Sequence, residues 1–579
     1  MRQGSDKGYF TFVLHGHLPY VLQHGTWPHG TDWLYEAAAE TYLPLLEVFC
    51  RLWEKEVPVK VVMGITPVLA EQLSHDSFKE NFVDYLNLKI KAARENAKEF
   101  KECGLTEVAN LADMWFDFYG GLLKKYISQW GRDIIWGFRT LQEEGELEII
   151  TSAATHGYLP LLKRDESVEA QIKTGIEIYE KHFGKEPAGF WLPECGYRPS
   201  YNWKPPIGHE DAYLRKGIEE ILCENGIQYF FVDTHLIRGG KAIGTYMDRF
   251  EALKFLWKQF ESEYTPEEKD RSPYYPYYVV SPGKDRGAIA FGRDPATALQ
   301  VWSGEHGYPG DFRYLEFHKK HFPGGHRYWK VTGTNKDLAS KEIYEPEKAR
   351  KAVKEHASHF ISLIKGTLRE HPGGIMVAPY DAELFGHWWF EGPLWLEEVL
   401  EGLAQDEEVT AATCSEYLEE HPPKEIISLP EGSWGEGGFH YIWLNEWTQW
   451  VWDKIYQAED LFFPLLEETR EEELPIRIRE AITQLARELL LLQSSDWPFL
   501  ITTWSARDYA ESRVAIHYQA FVELWKSIKR ALENQDLSEE CCQFLKRLEE
   551  REGVFPELDP VSYTHLTLPT IRRCRSRWS

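Results

Sequence analysis

SVEAQIKTGIEIYEKHFGKEPAGFWLPECGY (167–197) holds a helix, its stop and a strand in one short stretch. Residues 167–184 repeat their apolar side chains at 3.6-residue spacing and close on Gly184, the pattern of an amphipathic helix that ends on glycine. Residues 188–194 then run aromatic and aliphatic into an acid, Glu194, with Gly196 just beyond. A second helical pattern, 211–226, leads into the next apolar run in the same way.

The alternation continues outward in both directions. Strand candidates lie at 8–17, 59–66, 147–154, 188–194, 227–233, 287–293 and 373–383. Strands alternating with helices imply an α/β fold with a parallel sheet, doubly wound or closed into a barrel. His15, His17, Thr66, His156, Glu194, Asp233, Arg293 and Asp381 fall at or just past the carboxyl ends of these runs. A barrel carries its active site on that face. Residues 67–146 are charged and helical in pattern and read as an excursion from the barrel. Residues 239–285 are rich in Tyr and Pro and read as a long loop or cap. The catalytic region is expected over 1–425 and a helical domain over 426–560. The Arg-rich stretch 561–579 continues no helical pattern and is set aside as a non-native or disordered tail.

A chain of 579 residues exceeds one hydrophobic core and leaves room for two or three domains. It is 43% hydrophobic and 27% charged, the balance of a folded protein rather than a disordered one. A net charge of −27 argues against general nucleic-acid binding, which needs a basic surface. The N-terminal run shows no signal-peptide pattern, and no uninterrupted apolar stretch is long enough to span a membrane. The eight cysteines form no CxxC pair or disulfide framework, which suits reduced thiols in the cytoplasm. Twenty-three Trp against five Met is unusual. Packing accounts for many of them, but several sit among glycines and polar residues, where a flat indole can stack on a sugar ring.

Glu194 ends an apolar strand, so its carboxyl is partly desolvated and its pKa is raised unless donors compensate. A buried Glu paired with a nearby Arg explains the same segment. PYDAELFGHWWFEG (379–392) repeats the arrangement with Asp381 and Glu383; alone, Asp381 also fits a helix cap. Two strand-end carboxylates on one barrel face fit glycosidic chemistry better than either fits alone. Retaining cleavage needs one ionised carboxylate as nucleophile and a second carboxyl as general acid and then base. His15 and His17 point to one side of their strand. HxH is also a metal-ligand spacing, used with Asp in barrel deacetylases, but no further cluster completes a shell here. A structural His bonded to backbone serves equally for His17. GSWGEGGFHYIWLNEWTQWVW (432–452) places Trp434 between glycines, exposed enough to stack, while Trp447, Trp450 and Trp452 begin a helix and read as core. Asp496 follows a long helix and fits a cap as well as a site.

HGHLPY (15–20), WLPECGY (191–197) and YDAELFGHWWFEG (380–392) resemble signature segments of the family-57 glycoside hydrolases. Within that family, GRDPATALQVWSGEHGYPGD (292–311) and SSDWPF (494–499) are similar to the α-glucan branching enzymes. The resemblance runs from residue 8 to about 540. It implies a (β/α)7 barrel with a helical insertion and a helical C-terminal domain, acting on α-glucan without a metal or other cofactor. It implies Glu194 as nucleophile and Asp381 as acid/base. Arg293, Gly310, Trp434 and Asp496 fall where the branching enzymes contact the glucan, and His15, His156, Trp302 and Trp443 at other positions of the family's cleft.

The pair at the bond does not decide what accepts the cleaved chain. A 6-hydroxyl gives a branch, a 4-hydroxyl gives 4-α-glucanotransferase activity, and water gives an α-amylase. The choice lies with aromatics of the acceptor site and loops that exclude water. Compact branching enzymes carry a short Tyr-bearing loop between the Asp-Thr-His and RDP segments. Here that stretch, from Asp233 to Arg293, is much longer, with Tyr246 and Tyr264 both candidates. Branching is the leading expectation, a transferase or amylase of the same fold the second. A glucan-binding protein with weak turnover is the alternative from another class.

Overall fold

The computed structural model describes residues 7–239, 269–303, 307–333, 336–470 and 473–563. Tyr246, Tyr264, most of the expected 239–285 cap and nearly all of the tail lie outside them.

Each of the seven strand expectations corresponds to a strand: β1 Gly8–Gly16, β2 Val61–Ile65, β3 Leu147–Ser152, β4 Gly189–Trp191, β5 Tyr229–Val232, β6 Ala288–Gly292 and β7 Ile375–Asp381. They pair in parallel in the order β7-β1-β2-β3-β4-β5-β6. The sheet curls, and its two ends meet at a single parallel bridge, Arg293–Val377, where Asp294 N–H donates to the Val377 carbonyl at 3.0 Å. Nearer the start of β7, Ile375 N–H donates to the Tyr274 carbonyl at 2.8 Å. Tyr277–Val279 pairs antiparallel with β6 and carries Ile426–Ile427 beyond it, and Val409–Ala411 pairs in parallel with the first three residues of β1. The result is a seven-stranded α/β barrel, closed at the seam by a single bridge between strands.

Buried strands explain the near-continuous apolar runs. Phe10 and Phe12 of β1 pack against Phe360, and Phe12 also meets Trp395, on the outer helices Pro346–Arg369 and Gly392–Ala404. Helix Asp165–Phe183 turns Val168, Ile172, Ile178 and Phe183 inward and ends on Gly184 at φ 72°, a left-handed stop that suits glycine. Each such side chain contributes about 1.5–3 kcal/mol on burial. Between β2 and β3 the chain runs through four helices, Pro67–Ser74, Asp76–Glu102, Thr106–Ser128 and Ile134–Glu143, the middle two packed on each other.

The helical region begins at Gln449, later than the pattern suggested, because 426–448 stays with the barrel rim. Gly432 pairs with Tyr197 there, just past β4. Helices Gln449–Thr469, Ile476–Leu492, Arg507–Asn534 and Glu539–Arg551 pack together. The short helix Asp496–Thr503 turns back toward the barrel. Gly157 bridges to Ser494, Gln171 donates to Gln493 at 3.0 Å, and Arg513 donates to the Tyr20 carbonyl at 2.6 Å. These contacts lay the first residues of that helix over the carboxyl ends of the strands.

Candidate active site

A cavity of about 400 Å³ opens at that face. His15, His156, Glu194, Asp381, Trp434 and Asp496 all contribute to its wall, as do His17, Glu383, Trp388 and Phe317. Residues from β1, β3, β4, β7 and two later segments therefore converge, although they are hundreds of positions apart.

Glu194 lies three residues past β4 in a left-handed conformation, φ 60° and ψ 24°, and His156 after β3 has φ 57°. Such geometry costs a non-glycine residue about 1–3 kcal/mol and survives where the surroundings enforce it. Here they do. The Glu194 carbonyl accepts from Trp434 N–H at 3.1 Å, and Tyr197 N–H donates to Gly432 at 2.8 Å. The His156 carbonyl accepts from Ser495 N–H at 3.0 Å. The strain aims both side chains into the cavity.

No arginine pairs with Glu194 among the described contacts. Its Oε2 accepts from the Trp434 indole N–H at 2.8 Å, and its Oε1 from the Ser495 hydroxyl at 3.3 Å. Burial pushes this carboxyl up to about 8; the Trp434 hydrogen bond opposes the rise, and the charges of Asp381 and Asp496 add to it. Ser495 also meets His156 Nδ1 at 2.8 Å, and His156 Nε2 faces His15 Nε2 at 3.0 Å. Burial holds both imidazoles well below their ordinary value, so both are neutral and share one proton across that contact. With the Ser495 hydroxyl donating to Glu194, His156 carries its proton on Nδ1 and accepts from His15 Nε2–H. The chain His15–His156–Ser495 thus ends on the carboxylate as a line of donors.

Asp381 sits opposite His15 in the pairing of β7 with β1 and is partly exposed. Its side chain caps no helix: it precedes the short 3₁₀ turn Ala382–Leu384 without a side-chain capping bond. Glu383, two residues on, is buried. Its Oε1 accepts from His17 N–H at 3.0 Å and from the Tyr42 hydroxyl. Burial, then the Asp381 charge, pushes Glu383 up to about 8 against the Tyr42 donor. Tyr42 comes from a π-helical turn, Ala38–Tyr42, which the Gly386 backbone approaches so closely that a Cβ there would lie 1.7 Å from the Glu40 carbonyl. That contact accounts for the glycine in ELFGHWW.

Asp496 opens the helix Asp496–Thr503 but does not cap it; its Oδ2 bonds His17 Nε2 at 2.9 Å and accepts from Ser494. His17 Nδ1 meets the Thr66 hydroxyl at 3.1 Å, so both ring nitrogens are used on side chains rather than backbone. Ligand atoms of His17, His156 and Asp496 lie within 4.8 Å of one another. The two rings, however, stack with centroids 4.0 Å apart and planes 18° from parallel. In-plane lone pairs of stacked rings run side by side and do not converge on one cation. Hydrogen bonding is the use this geometry favours.

Trp434 departs from expectation. It is buried, 2% exposed, and presents an edge to Glu194 instead of an open stacking face. Trp452 is core, but Trp450 is partly exposed and Trp447 packs against Trp504. Arg293, Gly310, Trp302 and Trp443 are not in the cavity wall. Arg293 is buried behind Trp434, its guanidinium 5.4 Å from that ring and 3.4 Å from Asp233. Trp302 meets Trp434 at 6.3 Å between centroids, and Trp443 stacks on Tyr158 at 4.4 Å. Gly310 ends the turn Tyr308–Gly310. Sequence reading missed Ser495 and Tyr42 as partners of the carboxylates. Ser495 adjoins Asp496 in the SSDWPF motif, which was the available signal; Tyr42 lies in an ordinary amphipathic stretch and left none.

Residues 11–430 match the family described as glycosyl hydrolase family 57, and residues 454–563 the one described as 1,4-alpha-glucan branching enzyme, C-terminal. A 1,4-alpha-glucan branching enzyme of Thermococcus kodakarensis is 44% identical over 95% of this chain and 77% of its own length. Its crystal structure superposes with a TM-score of 0.84, covering 96% of each chain. A branching enzyme of this type from Pyrococcus horikoshii is 40% identical, with a TM-score of 0.84 and 96% of each chain covered. The α-amylase AmyC of Thermotoga maritima is 30% identical with a TM-score of 0.78, covering 96% of this chain and 99% of its own.

Proposed function

The chain belongs to glycosyl hydrolase family 57, and on that premise we propose that it is a retaining 1,4-α-glucan branching enzyme with Glu194 as nucleophile and Asp381 as acid/base. The observation that carries the roles is the asymmetry of the two carboxyls. Glu194 is buried and receives an N–H and an O–H on its two oxygens, which orient it and favour its ionised form when charge develops beside it. Asp381 is more open and faces the same cavity, where a group that gives up and regains a proton must sit.

Glu194 attacks the anomeric carbon of an α-1,4 linkage while Asp381 protonates the departing O4. The C1–O4 bond breaks as the Glu194–C1 ester forms. A 6-hydroxyl then attacks C1, its proton passes to Asp381, and the ester breaks to regenerate Glu194. Two inversions leave the α configuration intact. Positive charge developing at C1 supplies the counter-charge that the buried Glu194 carboxyl lacks, so the reaction favours its ionised form over the protonated one. Trp434 and Ser495 stabilise the carboxylate at both ends of the cycle. The substrate is an α-glucan, in keeping with the names of the relatives. Free cysteines and the absence, among the described residues, of any helix long and apolar enough to cross a membrane support a cytoplasmic setting.

Hydrolysis is the second reading, favoured by the similarity to the Thermotoga amylase. Amylose separates the two. The product is debranched, and α-1,6 linkages are counted beside released reducing ends. New branches should outnumber new ends; ends without branches exclude branching.

A further inference from the structure

Beside the catalytic cavity lies a second groove of about 560 Å³, between the loop 24–30 that follows β1 and residues 504–509, the short link after helix Asp496–Thr503 and the first turn of helix Arg507–Asn534. Pro28, His29, Ser505 and Ala506 line both hollows, so the two are continuous around these residues.

Two indoles stand in this groove under adverse conditions. Trp27 is 76% exposed and Trp504 is 60% exposed. Trp504 is also left-handed, with φ 58° and ψ 17°, at the end of its helix. Glycine suits that position, and a bulky aromatic does not. The chain therefore accepts backbone strain and a wetted apolar ring at one residue. The ring meets Trp447, with centroids 5.5 Å apart, which braces it without burying it. A flat, braced, exposed ring next to a sugar-cleaving cavity is the form of a stacking platform. His29 and Asp508, in the same groove, supply hydrogen-bonding groups for hydroxyls.

Topology fixes which side of the bond the groove serves. The loop 24–30 extends from β1, whose His15 lies opposite Asp381 on β7, while Glu194 extends from β4, three strands further round. Asp496 anchors the start of its helix on His17. The helix spans eight residues, about 12 Å, and delivers Trp504 outward from there. The groove thus opens from the Asp381 side, where the leaving chain departs and the acceptor arrives.

On the roles given above for Glu194 and Asp381, we propose that this groove is the acceptor subsite, in which an incoming α-glucan chain stacks on Trp504. The acceptor hydroxyl oxygen bonds C1 as the Glu194 ester breaks, and its proton goes to Asp381. Stacking there raises the acceptor's residence against water and sets how much of the intermediate ends in transfer.

Trp504→Gly and Trp504→Asn remove the ring while tolerating the left-handed backbone, and Trp504→Phe keeps an aromatic plate. Each is incubated with amylose beside the wild type, after melting curves establish that it is folded. All transfer products are counted, α-1,6 by debranching and α-1,4 by chain-length redistribution, along with reducing ends. The ratio of transfer to hydrolysis should fall about ten-fold in the Gly and Asn variants, the effect of about 1.4 kcal/mol, and largely recover in Trp504→Phe. An unchanged ratio, or a parallel fall of transfer and hydrolysis, overturns the assignment. The ratio counts transfer of either linkage, so a wild type forming only α-1,4 links would end the branching reading and leave this one standing.

Discussion

Replacing Trp434 with Phe isolates the bond that governs Glu194. The substitution keeps an aromatic ring against Trp191, now 5.1 Å between centroids, and deletes the indole N–H that lies 2.8 Å from Glu194 Oε2. A hydrogen bond to a charged group contributes about 1.5–3 kcal/mol, equivalent to about 1–2 pH units. The Glu194 carboxyl, already pushed up to about 8, should therefore titrate higher. Ionised carboxylate is required for attack, so the acid limb of the kcat/KM profile for amylose should shift upward by about 1–2 units. At pH 7 activity should fall about 10- to 100-fold, and much of the loss should return at pH 9. The assay is kcat/KM for amylose across the folded pH range, wild type and variant side by side. A uniform loss at every pH with the limb unmoved would mean that Trp434 serves only packing, and the electrostatic account of Glu194 would fail.

Three further outcomes follow from the same geometry. Glu194→Gln should stabilise the fold in a pH-dependent way: between the ordinary carboxyl value of 4.5 and the folded value of about 8, the unfolded wild type ionises while the folded form holds its proton. Wild-type stability is therefore lost by about 1.4 kcal/mol per pH unit in that window, and the Gln variant's advantage in Tm should widen from pH 4.5 to 8; a constant gap would contradict the burial argument. Glu383→Gln mimics the protonated form that its value of about 8 favours, so it should retain activity within about ten-fold, while Asp381→Asn loses about 10²–10⁴-fold; the reverse ranking would exchange their roles. Chelation should leave the rate unchanged, because His17, His156 and Asp496 are placed for hydrogen bonds and not for a cation; a loss restored by added divalent metal would reverse that reading.

The barrel was legible because its strands are buried on both faces and announce themselves as apolar runs, each followed by a polar residue at the active face. Glu194, Asp381 and the three histidines, which the structure brings to one cavity wall, all end or follow such runs. What the sequence could not display is contact across the fold. Trp434 looked exposed among its glycines, yet those glycines let the backbone pack tightly enough to bury the ring against Glu194. Ser495 and Tyr42 become site residues only when helix Asp496–Thr503 and the π-helical turn Ala38–Tyr42 are docked on the barrel. Trp504 carries no motif at all, and its interest lies in a φ of 58° and an exposed ring, both set by the fold.

The most direct test of the mechanism is to trap the glucosyl ester. An α-maltosyl fluoride needs no proton on its leaving group, so Asp381→Asn should still be glycosylated by it, while loss of the base slows release of the sugar. Intact mass spectrometry followed by peptide mapping should then find one maltosyl ester, on Glu194. An ester on Glu383 or elsewhere, or turnover to a β product with no ester formed, would contradict the assignment of Glu194 as the nucleophile of a retaining enzyme.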